Sequence, residues 1–517
     1  MSHTRLRLMA VALAFAFSGN TQATQLLWGP CPWSSPSDTS RVTCSRLRVP
    51  VDHDVPTGPA MDIGIMRIPA MRSDVREGAI FFHFGGPGLH PRDFLPSMIA
   101  RWETYDAADP LHGDKRRIAE RYDAIAVIPR GLPGGTRVSC EALAQDEPRR
   151  PSRPPDDAQW QEMLGYTRAV VDACQNEPLA PFIDTYQHIG DTEAVRVALG
   201  EPYVNYFGTS YGTRVAMAYA SRYPGSVRRL LLDSSIDPTV SVATLLDQGV
   251  EERDRIVSRQ AIGLAANDPS RWQLGADREA IRLRVKQMPG DLRGNVVPWL
   301  DGPETLAAAL TLSDWMAGTA HAAADDLRKR VAEYRFHVDD DTHQLIRSRA
   351  EWLVEMHAGE RPDIDADELS ALSVNLMTLC NDERWTTSTD EIRDMTSMLA
   401  RRHITWDGRE AAQKLVCAHW PHRLQRPAAS VPVMPPRPFL MIQAEYDAYT
   451  PLRGAARMAD RMEGAHLVVG RGLQGHYLFD RTDTPCIEQA AGRYLLSGEL
   501  PTLKHTSCPG QSRKTSP

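Results

Sequence analysis

No apolar stretch in these 517 residues is long enough to cross a bilayer. The longest, Leu8 to Phe17, has 10 residues, where a spanning helix needs about 20. Basic runs are also missing. Lys plus Arg (59) against Asp plus Glu (66) leaves a net charge of −7, so nothing is concentrated to neutralise a phosphate backbone, and nucleic acid is not expected as a partner. There is no C-x-x-C, no Cys/His cluster at zinc-finger spacing, no H-E-x-x-H and no carboxylate cluster, so neither a metal nor a cofactor is expected. With 42% hydrophobic and 24% charged residues, the composition excludes disordered and collagen-like chains. What remains is a mildly acidic folded protein with two or three domains' worth of core.

At the N-terminus, Arg5 and Arg7 precede the short apolar run, and Ser18-Gly19-Asn20-Thr21-Gln22-Ala23 follows it. Basic start, apolar core and small-residue end are the order of a secretory signal, so 1–23 is expected to be removed and the remainder secreted or periplasmic. Cysteine usage agrees. Eight cysteines in an exported chain suggest bridges, and pairing sequential neighbours closes the shortest loops. The expected pairs are Cys31–Cys44, Cys140–Cys174, Cys380–Cys417 and Cys486–Cys508.

Residues 41–68 read as antiparallel strands. Unbroken apolar runs follow at Ala79–Phe84, Tyr122–Ile128, Tyr203–Phe207, Val227–Leu232 and Phe439–Ile442. Strands of this kind, buried on both faces, belong to a parallel sheet covered by helices. Helical periodicity lies between them at Trp160–Cys174, Asp191–Leu199 and Thr213–Arg222. The pattern predicts an α/β, doubly wound, mostly parallel sheet. From about 240 to 425 the alternation stops and helical segments dominate. This block should be a cap over the strand ends, where ligands bind. The expected division is a signal peptide 1–23, core 24–238, helical cap insertion 239–426 and core 427–517. Pro148–Pro155 reads as a surface loop or linker, and the Pro-rich Pro427–Pro438 leads back into a strand.

Gly208-Thr209-Ser210-Tyr211-Gly212 places G-x-S-x-G between a predicted strand and a predicted helix. A sharp strand-to-helix turn lifts the serine hydroxyl clear of the backbone, and the flanking glycines avoid collision. Serine barely ionises at neutral pH, so it needs a base, and the base needs an orienting carboxylate. In this architecture the chain order is Ser, acid, His. Asp447 lies just past the Phe439–Ile442 strand. His476 follows a short strand, Leu467–Val469, and a glycine-rich loop. Glu445 and His466 are the competitors. Negative charge developing on the former carbonyl oxygen needs two backbone donors. One is the N–H of Tyr211. The other comes from Gly85-Gly86-Pro87-Gly88, with Gly86 preferred and Gly85 the fallback.

These residues carry a resemblance. Gly85-Gly86-Pro87-Gly88, Pro129-Arg130-Gly131, Gly208 to Thr213 and Asp447-Ala448-Tyr449-Thr450-Pro451 are similar to the prolyl and tripeptidyl aminopeptidases of the α/β-hydrolase superfamily. Cys31 to Cys44, Leu379-Cys380-Asn381-Asp382, Cys417 to Pro421 and Cys486/Cys508 resemble the secreted bacterial tripeptidyl-aminopeptidase-like branch. The resemblance implies an α/β-hydrolase fold with a cap. It also implies a serine exopeptidase that releases short N-terminal fragments, with Ser210, Asp447 and His476 as its triad. A substrate with a free N-terminus carries a cationic amine, which a carboxylate beneath the cap would hold. Asp382 and Glu383 are the candidates, with a solvated turn or a salt bridge to Arg384 as the other reading. Two further readings stand beside the peptidase: a carboxylesterase using the same triad, since fold does not fix function, and an inactive binding homologue.

Overall fold

The computed structural model describes residues 26–33, 41–145, 153–317, 324–358, 364–421 and 437–510. The signal-like segment 1–23, most of Pro148–Pro155 and most of Pro427–Pro438 lie outside the described residues. Nine strands form one sheet: β1 (Thr43–Pro50), β2 (Ala60–Ile68), β3 (Gly78–His83), β4 (Tyr122–Val127), β5 (Val204–Thr209), β6 (Val227–Asp233), β7 (Phe439–Tyr446), β8 (Ala465–Gln474) and β9 (His505–Pro509). Their spatial order is β1-β2-β4-β3-β5-β6-β7-β8-β9. β2 pairs antiparallel with β1 and β4; every later pairing is parallel. This is the mostly parallel α/β sheet that the apolar runs predict.

Among the described residues between β3 and β6 lie the α-helices α1 (Leu95–Thr104), α2 (Gly113–Arg121), α3 (Asp157–Gln175), α4 (Thr185–Ala198) and α5 (Tyr211–Arg222). The period-2 geometry of a strand sends successive side chains to opposite faces. Phe81, Leu232 and Met441 therefore meet α4, α5 and the Leu452–Arg461 helix on one face. Their neighbours Phe82, Leu231 and Leu440 meet α1, α2 and the Pro485–Ser497 helix on the other. At about 1.5–3 kcal/mol per buried large apolar side chain, these two layers are the main source of the sheet's stability. β2 shows broken alternation because Gly64 to Met66 are buried on a strand paired along both edges.

Between β6 and β7 the chain is helical, from Val242–Ile256 to Arg409–Ala418. Part of this segment has its own apolar core, including Leu306, Leu310, Ile346 and Leu353. Another part packs on α3, where Trp160 and Met163 meet Val250, Leu399 and Trp406. Four disulfides join Cys31 to Cys44, Cys140 to Cys174, Cys380 to Cys417 and Cys486 to Cys508. The second and third share a single apolar cluster with Ile128, Val374 and Trp420, so they fasten the two sides of one contact.

Two expectations need correction, and one element is new. The glycine-rich stretch after Val469 is not a loop: β8 continues to Gln474, and Tyr446 pairs with Gln474 after a register shift. Gly472 takes φ +70° and donates its N–H to Glu445 at 2.7 Å, which absorbs the irregularity within the ladder. His466 lies inside β8 rather than before it. The terminal strand β9, pairing with β8, had no separate reading in the sequence.

Candidate active site

β5 ends at Thr209 and α5 starts at Tyr211, leaving Ser210 alone in the turn with φ 54° and ψ −124°. L-residues seldom adopt that backbone conformation. Why the flanking positions are glycine can be read from space. A Cβ on Gly208 would lie 2.4 Å from the Gly212 carbonyl oxygen, and one on Gly212 would lie 2.2 Å from that of His83. The turn is held from outside: Ser210 N–H donates to the Asp233 carbonyl at 3.0 Å, and Thr213 Oγ1 donates to the Ser210 carbonyl at 2.6 Å.

Asp447 and His476 come together. His476 Nδ1 lies 2.9 and 3.0 Å from the two carboxylate oxygens of Asp447. A nitrogen facing a carboxylate carries its proton, so Nε2 is left as the basic site. Asp447 is fully buried and also accepts from the Tyr449 and Thr450 N–H groups and the Thr450 hydroxyl. Burial opposes its ionisation, but the attraction and hydrogen bond of His476, with the two backbone donors, outweigh that and hold the carboxyl below its ordinary range. Of the competitors, Glu445 accepts from Gly472 N–H and His466 sits within β8; neither joins this group.

The depressed pKa has a consequence for stability. The stabilisation is fully present above the unfolded value of 3.8 and is lost as pH falls from there through the lower pKa of the folded state. Asp447→Asn should therefore lose less stability than the wild type between about pH 5 and about pH 3. Equal losses in denaturant titrations at the two pH values would contradict the assignment.

Sequence reasoning missed the clamp behind the histidine. The Asp233 carboxylate, at the end of β6, accepts from the N–H groups of Leu478 (2.8 Å) and Phe479 (2.9 Å) and from the Ser234 hydroxyl. Ser234 in turn accepts the Tyr477 N–H at 2.9 Å. Burial pushes the Asp233 carboxyl up to about 6 against these donors. The Tyr477 hydroxyl donates to the Phe84 carbonyl at 2.8 Å and lies beside the hydroxyls of Thr209 and Ser210. Thus the loops after β3, β5, β6 and β8 meet around Ser210. The only trace in the sequence is a charged residue ending an apolar run, Leu230-Leu231-Leu232-Asp233. Beyond Tyr477 opens a cavity of about 390 Å³, lined among others by Phe84, Phe94, Ser97, Arg101 and Phe479.

The glycine loop after β3 lies against the turn. A Cβ on Gly85 would come within 2.7 Å of the Thr209 carbonyl oxygen and 3.0 Å of Tyr211 N. Gly85 already donates its N–H to His83 Nδ1 at 3.1 Å. Burial, reinforced by His188, lowers the His83 pKa well below its usual value and keeps the ring neutral. The inserted helices reach this loop: Asn375 Nδ2 donates to the Pro87 carbonyl at 2.8 Å, and a Cβ on Gly88 would lie 2.4 Å from the Ala371 carbonyl oxygen.

Asp382 and Glu383, at the end of the Ala366–Asn381 helix, both face protein donors. Asp382 accepts from Thr185 N–H at 2.8 Å and from the Tyr211 hydroxyl. Glu383 accepts from Arg214 at 3.1 Å and from Val242 N–H at 2.7 Å. Its partner is Arg214 rather than Arg384.

Residues 108–272 match a family described as "alpha/beta hydrolase fold", and residues 404–508 match one described as "TAP-like protein". A tripeptidyl aminopeptidase of Streptomyces lividans is 27% identical over 500 residues, covering 93% of this chain and 86% of that protein. Serine protease Hip1 of Mycobacterium tuberculosis is 24% identical over 499 residues, covering 92% and 89%. Carboxylesterase B of the same species is 26% identical over 521 residues, covering 93% and 89%.

Proposed function

We propose that this chain, an α/β-hydrolase enzyme similar to the tripeptidyl-aminopeptidase-like branch, is a serine exopeptidase that removes short N-terminal fragments from peptides. The observations that support the reading are the buried Asp447–His476 pair and the strained strand-to-helix turn at Ser210, in the chain order Ser, Asp, His that this chemistry uses. In the proposed mechanism Ser210 Oγ attacks the scissile carbonyl while His476 Nε2 takes its proton. Asp447 stabilises the imidazolium that forms. The N–H groups of Gly86 and Tyr211 receive the oxyanion. Because Gly85 N–H is already bonded to His83, Gly86 is the better donor of the two glycines. His476 then protonates the leaving amine, and water, activated by the same ring, releases the acyl group.

The helical segment 239–426 is read as the cap of this site, and its contacts with Pro87 and Gly88 support that. Four disulfides support an oxidising compartment, secreted or periplasmic. The relatives named as peptidases favour a peptide substrate, while the one named as a carboxylesterase keeps a second reading in view. A substrate panel separates them. Aminoacyl and tripeptidyl p-nitroanilides with free N-termini should be cleaved, and their N-acetylated forms spared, with differences of at least about 100-fold in kcat/KM. Indifference to N-blocking, together with fast turnover of simple esters, would establish the esterase instead.

A further inference from the structure

We propose that Asp382 is a positioning residue for the oxyanion donor: it fixes Tyr211, whose backbone N–H faces the reacting carbonyl, by holding the other end of the same residue. The proposal rests on Ser210 being the nucleophile. Tyr211 is 3% exposed and Asp382 4% exposed, so their contact is shielded from water. One carboxylate oxygen of Asp382 accepts the Tyr211 hydroxyl, and the other accepts the Thr185 N–H at 2.8 Å. Thr185 Oγ1 lies 3.3 Å from the same phenol oxygen. Hydrogen bonds to an ionised acceptor are about twice as strong as neutral ones. Burial, and then the Asp382 charge, raise the Tyr211 phenol far above its usual range, so the hydroxyl stays a donor.

The neighbouring acid repeats the grip one helical turn on. Glu383 pairs with Arg214, three residues after Tyr211 and 4% exposed, and also takes the Val242 N–H. Consecutive acids at the end of the Ala366–Asn381 helix therefore hold the first turn of α5 at two points. Both acids are engaged by donors of the fold, which leaves them poorly suited to receive a substrate amine. A donor held rigidly where charge develops needs no reorganisation during reaction, which is the physical basis of its contribution. Loosening Tyr211 should therefore weaken binding of the transition state and leave the ground state alone.

Steady-state kinetics of Asp382→Asn and Tyr211→Phe, with a tripeptidyl p-nitroanilide and a p-nitrophenyl ester that has no amine, tests this. Each variant should lower kcat about 10- to 100-fold on both substrates with KM nearly unchanged. The double variant should lose no more than either single one, since both remove the same contact. A rise in KM confined to the free-amine substrate would make Asp382 an amine-binding group and overturn the proposal; so would unchanged kcat or additive losses. Tyr211→Phe keeps the ring in place, so its kinetics decide the matter even where Asp382→Asn folds poorly. If the enzyme turns over only the ester, the exopeptidase reading fails while this comparison still stands.

Discussion

Replacing Ser210 with alanine should lower kcat by roughly 10⁵-fold while leaving the melting temperature almost unchanged. The hydroxyl is the only atom lost, and the turn around it is held by backbone bonds to Asp233 and Thr213. A fluorophosphonate should label the wild type and fail to label the variant. Glycine at the same position separates chemistry from strain. A non-glycine residue at φ 54° and ψ −124° costs of order 1–3 kcal/mol, whereas glycine adopts such angles freely and loses about 0.5–1 kcal/mol through its more mobile unfolded chain. Ser210→Gly should therefore be inactive and yet more stable than wild type by about 1 kcal/mol. An inactive alanine variant that also melts well below wild type would mean that the serine serves the fold. Wild-type-like turnover would remove Ser210 from the chemistry.

Full reduction should be the largest perturbation of stability. The four bridges close loops with sequence separations of 13, 34, 37 and 22 residues, and each restricts the unfolded chain by about 2–4 kcal/mol. Their sum approaches the 5–15 kcal/mol that ordinarily separates folded from unfolded protein. The melting temperature in strong reductant should fall by about 10 °C or more. Cys140–Cys174 and Cys380–Cys417 should matter most to function, because they share an apolar cluster joining the α3 region to the inserted helices. Alanine pairs at each bridge, compared by differential scanning calorimetry and by turnover, measure this. Identical melting curves with and without reductant would contradict it.

How much of this was legible in the sequence depended on how local each cause is. The central strands could be read because burial on both faces forces continuous apolar runs: Ile80 to Phe82 and Leu440 to Ile442 face different helices but need the same chemistry. The serine turn could be read because its glycines are demanded by backbone atoms a few residues away or on the neighbouring strand. Long-range partners left no mark. An acid ending a helix looks the same whether it meets water or the Tyr211 hydroxyl 171 positions away, so Asp382 and Glu383 could be noticed but their partners could not. Asp233 was invisible for the same reason, since the amides it receives lie 245 and 246 residues downstream. The extent of β8 was misread because Gly470 and Gly472 are turn-formers by habit, yet here they sit in a ladder continued by pairing with Tyr446.

The Ala366–Asn381 helix touches the loop after β3 through Ala371 and Asn375 and leads straight into Asp382, which reaches α5. Anyone exchanging the helical insertion between relatives to alter selectivity should therefore leave residues 366–383 with the host sheet. A graft ending before Ala366 transfers the bundle around Leu306 and Leu353 except for Ile404, which must be kept compatible with it. One that runs through to Cys417 would also import a foreign support for the turn it is meant to serve.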